Sequence, residues 1–440
     1  MLKVDSVKPP KAAADPASLH KKMMQLLSSL WVTHAIGSFA RMGLADAMEA
    51  GGDNAEALAK ARGLVPDRVY RLLRALSTVG IVTESAGGRF ALTPLGRMLT
   101  SNAPNSMRTS AELLTEYNGE IWSKLDGALA GGIAFEALKG KELFDWLHTN
   151  PKEGARFQRM MVEVHSPETP AIVAAYDFGQ FKRIVDVGGG HGMLLSAILA
   201  AHPGVHGTLF DLQEGIEAAR RGEGGPLPGV SFIPGNVFEF VPEGADAYLF
   251  RHLLHDYDDD DCLKMLTNVR RAMKPTSRVI VLEKTVPTDD TPSPGRWLDL
   301  HVMLLTGGRE RTVPEYEALF DKAGLKLSRV LPTAHPAVEV IEVVAADAYA
   351  IDTDGSERFE ARIKDLFSGE ILPEVIPDTL SSLVWTSDSK GLLYGLANLA
   401  IAVGVRKITN SISSAVRNNS RNTVIEGDVV DSPEASTHRE

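Results

Sequence analysis

The segment from Val185 to Gly192, VDVGGGHG, constrains the fold more than any other stretch of the chain. A short β-branched run ends in Asp186 and passes into Gly188, Gly189, Gly190 and Gly192, after which a helical pattern, MLLSAILAAHP, begins. A strand that turns through glycines into a helix offers backbone N–H groups and a helix N-terminus to a bound molecule, and it is the entry unit of a parallel α/β sheet. The rhythm that follows agrees. GTLFDL, IEAARRG, VSFIPGN, AYLFRHLLHD, CLKMLTNVRRAM and RVIVLEK alternate strand-like with helical runs, which calls for parallel strands joined by crossover helices. VEVIEVVAA reads as a late strand closing the sheet.

The spacing of the glycines bears on what the loop receives. Asp-x-Gly-x-Gly-x-Gly differs from the Gly-x-Gly-x-x-Gly that seats the pyrophosphate of a dinucleotide. A sulfonium cofactor has no phosphate, and its amino-acid portion and ribose can rest on such a loop. Asp211, at the end of the next strand, is in register to accept hydrogen bonds from ribose hydroxyls. Loop and aspartate together point to S-adenosylmethionine; the glycines alone are also compatible with a bare strand-to-helix turn.

Composition narrows the classes of partner. A length of 440 residues predicts two or three folded units. A hydrophobic content of 44% with 23% charged residues excludes bulk disorder. The net charge of −11 disfavours nucleic acid, which calls for concentrated Lys and Arg, and leaves a small molecule as the expected partner. The single cysteine, Cys262, can form neither an internal disulfide nor a thiolate metal cage, and fits a cytoplasmic location. No run is long enough to span a bilayer, and residues 1–17 lack the apolar core of a secretory signal and read as a flexible tail.

Residues 18–100 read as short amphipathic helices closed by a hairpin, the outline of a winged helix, with Gly87-Gly88 as the turn of the wing and Pro94 at its exit. Arg68, Arg71 and Arg74 share a helix face; on so acidic a chain they read as a solvated or interface face rather than a DNA-reading one. The second unit spans 105–346, its part from 110 to 180 helical. Beyond it, SERFEARIKDLF reads as a helix and LLYGLANLAIAVGVRKITNSISSAV as a second, apolar one too short to cross a membrane, while the last two dozen residues read as disordered. Residues 347–440 thus form an extension without an assigned role.

In their order, VDVGGGHG, FDL, PGNVF, RHLLHDYDDDDC, VLEK and GGRERTVPEYEALFDKAGL resemble the plant caffeate-type and acetylserotonin-type O-methyltransferases, a family with bacterial and fungal members, over residues 18–346. The resemblance implies a Rossmann-like methyltransferase sheet, mostly parallel with a late antiparallel strand, behind an N-terminal winged-helix domain that makes a homodimer. It implies S-adenosylmethionine as cofactor, S-adenosylhomocysteine as its product, no metal, and a small aromatic or conjugated acceptor.

Residue by residue, the resemblance makes His255 the general base and Glu283 and Glu310 the carboxylates that flank and orient it. The chemistry fits, because a phenol with a pKa of about 10 is a poor nucleophile until a base takes its proton. A carboxylate on one ring nitrogen fixes the tautomer that leaves the other free to accept. The cofactor falls to Asp186, Gly188, Gly189, Gly190 and Asp211, with adenine and carboxylate contacts from Asn236, Val237, Arg251 and Tyr257. Asn236 stands where plant members usually have Asp, and Tyr257 where they have Trp. Phe157 and Met161 fall where the family lines its acceptor pocket, and as apolar residues at helical spacing they suit a core equally well. The run Asp258 to Asp261 reads as the acidic start of a helix rather than a metal site. The competing functions are carbon or nitrogen methylation, a relative that holds the cofactor without using it, and a winged-helix regulator. The retained trio of His255, Glu283 and Glu310 favours transfer to oxygen.

Overall fold

The computed structural model describes residues 15–222 and 227–346 throughout, and as backbone strands alone five segments between 347 and 394. The chain divides into two compact units, Met1–Pro167 with Met303–Gly307 and Glu168–Val302 with Gly308–Glu440.

The first unit opens with α1 (Pro16–Arg41), a 26-residue helix that Asp15 caps by accepting the amide of Ser18. The expected tail is therefore shorter than 1–17, since Pro16 and Ala17 already belong to this helix, and residues 1–14 lie outside the described ones. Next come α2 (Leu44–Glu49), α3 (Ala55–Arg62) and α4 (Pro66–Ser77). The hairpin of β1 (Val82–Ser85) and β2 (Arg89–Leu92) follows, turned by Gly87 and Gly88 at φ values of 80° and 69° that a side chain would oppose. In α4 the buried Val69, Leu73 and Leu76 form one stripe while Arg68, Arg71 and Arg74 are exposed. The short helices α5 (Pro94–Arg97), α6 (Arg108–Thr115), α7 (Tyr117–Trp122), α8 (Leu125–Leu129), α9 (Ala134–Lys139), α10 (Leu143–Thr149) and α11 (Pro151–His165) complete the unit.

The second unit is a seven-stranded sheet. After α12 (Glu168–Ala175) the elements are β3 (Arg183–Val187), α13 (Met193–Ala201), β4 (His206–Asp211), α14 (Gln213–Arg220), β5 (Ser231–Pro234), β6 (Ala247–Arg251), α15 (Asp259–Ala272), β7 (Arg278–Glu283), α16 (Gly295–Leu305), α17 (Val313–Lys322), β8 (Leu325–Pro332) and β9 (Glu339–Ala345). Helix α16 crosses the boundary, its last residues being counted with the first unit. The strand order is β5-β4-β3-β6-β7-β9-β8, parallel through β7, with β9 antiparallel to β7 and β8 antiparallel to β9.

The central strands are apolar on both faces, which is what burial between two layers of helices demands. Val185, Val187, Tyr248, Phe250, Val279 and Val281 join one core, and the alternating Ile184, Ala247, Leu249, Ile280 and Leu282 join the other. β3 lies between β4 and β6, so the connections leave it in opposite directions. This is the switch point at which open α/β sheets bind ligands, beyond the carboxyl ends of the strands.

Two expectations fail. VEVIEVVAA does not close the sheet: β9 is interior, and β8, with Lys326, Ser328 and Arg329 interrupting its apolar residues and a register shift between Leu327 and Arg329, forms the edge. An edge strand needs only one apolar face, and charge there discourages pairing with another chain, so its signal is weak in the sequence. The helix expected over SERFEARIKDLF is not what its described part, Phe359–Lys364, forms; the rest lies outside the described residues. β10 (Asp347–Asp352), β11 (Phe359–Lys364) and β12 (Ile371–Thr379) form an antiparallel sheet, and β13 (Leu383–Trp385) pairs with β14 (Leu392–Tyr394). FEARIK alternates apolar and polar residues as a strand does, and pairing on both sides overrides the helix propensity of Glu, Arg and Lys. Leu392–Tyr394 likewise breaks the second expected helix, whose remainder, with the tail beyond it, lies outside the described residues.

Helix α17 begins with a reciprocal cap, in which the Thr312 hydroxyl meets the Glu315 amide and the Glu315 carboxylate accepts the Thr312 amide at 2.8 Å. Thr312→Ala is expected to lower stability by about 1 kcal/mol. In thermal unfolding that corresponds to a shift of about 2–4 °C for a unit of this size.

Candidate functional site

Strand β6 runs beside β3, so Arg251 ends on the same edge of the sheet as Val187 and the glycine loop. Beyond Arg251 the chain bends sharply. His252 takes a φ of 47°, a left-handed conformation costly for a side chain, and a single 3₁₀ turn follows over Leu254–Asp256. That turn carries His255, which is buried.

The turn is held through its backbone from two sides. Glu283, the last residue of β7 and fully buried, accepts the amides of Leu253 (3.1 Å), Leu254 (2.7 Å) and His255 (3.2 Å) on one carboxylate oxygen, while the other accepts the Tyr316 hydroxyl. Arg311, also fully buried, donates to the carbonyls of Leu254 (3.1 Å) and Tyr257 (3.0 Å) and pairs with Asp259 at 2.9 Å. The His255 carbonyl accepts the Arg309 amide at 2.8 Å. A Cβ on Gly308 would sit 2.1 Å from that carbonyl oxygen, so only glycine lets the two segments approach. The motif GGRERT is thus largely a backbone splice: Gly308 makes room, Arg309 and Arg311 satisfy carbonyls, and Thr312 starts the next helix.

Glu310 is the member that reaches the ring. Its Oε1 lies 2.7 Å from His255 Nδ1, and its own amide is held by Asp299 at 2.9 Å. The two glutamates expected to flank the base therefore divide the work, Glu310 orienting the ring and Glu283 the peptide that bears it. In the neutral ring, Nδ1–H donated to Glu310 would leave Nε2 as the acceptor nitrogen. Burial by itself would push the ring down, but the Glu310 hydrogen bond and the charges of Asp256, Glu310 and Glu283 outweigh it and raise the ring to about 10.

Sequence reasoning missed several neighbours. Asp256 lies 3.9 Å from His255 Nε2 and is pushed up to about 6, by burial first and then by Glu283 and Glu310 against the pull of His255. Its place directly after His255 in LLHDYD was the available signal. His301, on α16, is pushed down to about 4 by burial and then by the charge on His255, and so remains neutral. The His252 ring centroid is 5.3 Å from that of His255, and its Nε2 meets Glu168 at 2.8 Å.

The glycine loop has the features of a ligand cradle. Gly188, Gly190 and Gly192 have φ values of 65°, 55° and 74°. A Cβ on Gly189 would fall 2.5 Å from Asp186 Oδ2 and 2.6 Å from the Leu209 side chain, so the loop must stay bare. Asp186 is 1% exposed, and neither of its carboxylate oxygens meets a hydrogen-bond donor among the described residues. Burial, with a smaller push from Asp211 and against Arg251, raises it to about 7. A buried acceptor without a partner beneath a bare loop fits a ligand bringing N–H or O–H donors, as the amino-acid end of S-adenosylmethionine does. Asp211 accepts the amides of Gly190 and Leu212, each at 2.7 Å, which ties the loop to the end of β4.

The remaining expected residues differ in availability. Arg251 is paired with Glu168 at 3.0 Å and with the Thr169 hydroxyl at 3.1 Å. Asn236 Oδ1 accepts the Phe238 amide at 2.9 Å, which uses one of its two lone pairs. Val237 gives its carbonyl to Asn268 at 2.9 Å, and the Tyr257 ring packs edge-on to Phe238 with centroids 5.3 Å apart. Asp258 caps α15 by accepting the Asp261 amide at 2.9 Å. Phe157, and beside it the half-buried Met161, belong to an apolar cluster of the first unit with Tyr117, Phe135 and Trp146.

Comparison with known proteins finds two family domains, the second of which runs across the boundary between the compact units. Residues 24–102 match the family model of an O-methyltransferase dimerisation domain, and residues 122–326 that of an O-methyltransferase domain. Residues 345–400 match that of the N-terminal β-propeller domain of prolyl oligopeptidase. A phenazine O-methyltransferase of Lysobacter antibioticus is 36% identical over 73% of this chain and 95% of its own length. A mitomycin biosynthesis 6-O-methyltransferase of Streptomyces lavendulae is 34% identical over 74% and 95%. The solved structure of an O-methyltransferase from neocarzinostatin biosynthesis, in complex with S-adenosyl-L-homocysteine and 1,4-dihydroxy-2-naphthoic acid, has a TM-score of 0.63 at 28% identity, covering 76% of this chain and 100% of that one. Relatives also include a phenazine-1-carboxylate N-methyltransferase of Pseudomonas aeruginosa, 31% identical over 74% of this chain. With a dimerisation domain followed by a catalytic domain, the chain belongs to the O-methyltransferase family.

Proposed function

We propose that this protein transfers a methyl group from S-adenosylmethionine to a hydroxyl of a small aromatic or conjugated acceptor, with His255 as general base. The observation that carries the reading is the 2.7 Å contact between His255 Nδ1 and Glu310, on a turn that shares its sheet edge with the glycine loop. Gly188, Gly189, Gly190 and the carboxylates of Asp186 and Asp211 would hold the cofactor, with Asn236, Val237 and Tyr257 at its adenine end and Arg251 balancing Glu168 beside it. When bound, the cofactor supplies an electrophilic methyl group and a positive charge.

The chain's own residues then manage one proton. Glu310 keeps the ring tautomer fixed, so Nε2 is the atom that accepts the proton of the acceptor hydroxyl. Glu283 and Arg311 hold the peptide of the turn, so the ring cannot swing away. The proton goes to a side chain, and the reading calls for no metal. An amine nucleophile would not need so basic a group, which favours oxygen over nitrogen. Phe157 and Met161 contribute to an apolar wall for the acceptor body. The buried thiol of Cys262 is in keeping with a cytoplasmic enzyme.

We also propose a homodimer built on α1. Leu26, Leu27, Leu30 and Trp31 are 60%, 65%, 58% and 70% exposed on this helix, an apolar surface that a monomer would not leave in water. A second copy of the chain covers it in this reading.

Three outcomes follow. His255→Ala is expected to lower kcat by about 10²–10⁴-fold with little change in cofactor affinity by calorimetry; near-normal turnover would sink the assignment of the base. The pH profile should carry the mark of Glu310. The base works when neutral, so kcat/KM rises as pH passes upward through the ring pKa, which lies above the ordinary imidazole value of about 6.5. Glu310→Gln removes the largest raising influence and should move that rise to lower pH while reducing the plateau. For the dimer, Leu27→Glu combined with Trp31→Glu should convert the protein to monomers in sedimentation velocity, and an unchanged dimer would exclude α1 as the interface.

A further inference from the structure

His252 occupies a position that glycine would fill without strain. Its φ of 47° is left-handed, and among the described residues it is the one non-glycine with a positive φ. Its amide still donates to the Leu282 carbonyl at 3.2 Å, so the backbone follows β7 for one residue past Arg251 before it swings into the turn that carries His255. Nothing in that backbone path calls for an imidazole. Backbone strain of this kind persists where the surroundings hold it in place, and it gathers at working sites.

A third buried acid holds the ring. Glu168, the first residue of α12, is 2% exposed. Its Oε2 meets His252 Nε2 at 2.8 Å and Arg251 Nη2 at 3.0 Å, while the Thr169 hydroxyl accepts Arg251 Nη1 at 3.1 Å. Glu168, Thr169, Arg251, His252, His255 and Glu310 all belong to the second unit. The side chains of His252 and His255 are each 8% exposed, and their rings are tilted by 34° with centroids 5.3 Å apart, which is packing distance for flat rings. Two histidine–glutamate pairs therefore lie side by side, His255 with Glu310 through Nδ1 and His252 with Glu168 through Nε2. A hydrogen bond at one edge leaves a ring able to tilt about that bond. A second ring, itself anchored, closes one of its faces.

We infer that His252 is a positioning residue: anchored by Glu168, its ring packs against His255 and keeps that imidazole in the orientation in which Nδ1 meets Glu310. The inference rests on the methyl-transfer reading, in which His255 is the base, and it adds Glu168 and His252 to the groups that hold the base in place. Such support matters because a small misplacement of a reacting group costs much of its effect, and a side chain is held best when packing and hydrogen bonds both fix its neighbours.

His252→Gly separates the ring from the backbone. Glycine takes the left-handed bend freely, and Glu168 keeps Arg251, so the variant is expected to stay folded, as circular dichroism would check. His252→Asn, which also accepts a left-handed backbone, repeats the test should the glycine variant not fold. The full-length, cofactor-free protein is labelled with carbon-13 histidine and titrated by nuclear magnetic resonance, and the His255 ring signal is read. Freed from its neighbour, the ring should hold Glu310 less well, and its titration midpoint is expected to fall by about one pH unit, an about tenfold weaker hold on the proton. The charges that raise His255, those of Asp256, Glu310 and Glu283, are the same in variant and wild type, so a residue that merely shaped the turn would leave the midpoint where it is. Loss of a positive charge on His252 would move it upward instead. An unchanged or raised midpoint in a folded variant overturns the inference. Neither cofactor nor acceptor enters this measurement, so its failure would leave the methyl-transfer reading to the turnover of His255→Ala, and failure of that reading would leave the positioning of the ring as measured.

Discussion

The carboxylate of Glu283 is the contact on which the catalytic unit turns. Three successive amides, of Leu253, Leu254 and His255, converge on one of its oxygens, and Tyr316 donates to the other. Backbone groups buried in a bend have no helix or strand to satisfy them, so they must be met by side chains. Glu283 meets the donors and Arg311 the acceptors, so the non-regular turn is hydrogen-bonded from both sides. A carboxylate that is fully buried and accepts several bonds is tolerable because each bond to it is charge-assisted.

That arrangement fixes the His255 turn at the carboxyl end of β6, beside the glycine loop that follows β3. The sheet brings two loops together, one stripped of side chains and one carrying a histidine, and each has a buried acid assigned to it. Asp186 lies beneath the first with no donor among the described residues, whereas Glu310 meets the second through His255 Nδ1. The two buried acids thus differ in partnering.

Much of this was legible in the sequence because it depends on identity and order. The Asp186 loop, Asp211 at the end of the next strand and His255 before an acidic helix start are local patterns, and the structure puts Asp186 and Asp211 in the last residues of β3 and β4 and His255 on the turn that follows β6. What sequence left hidden acts through the backbone. Nothing in the spacing of GGRERT reveals that Gly308 admits the His255 carbonyl, or that Arg311 faces two carbonyls rather than a substrate. Expecting both glutamates to orient the ring was reasonable from their residue type, and only geometry divides them. The fold shows the same limit: the core strands announce themselves by being apolar on both faces, while β8 is half-polar because it is an edge, and Phe359–Lys364 carries helix-forming residues that strand pairing overrides.

The central claim is that Glu310 and the surrounding carboxylates make His255 a stronger base than a free imidazole, in spite of its burial. Its most direct test is a pH titration of the cofactor-free protein with carbon-13-labelled histidine, followed by nuclear magnetic resonance, His255 being identified by the signal lost in His255→Asn. The account predicts that the His255 ring stays protonated well above the ordinary imidazole range. Titration at or below that range, with the protein folded throughout, would contradict it.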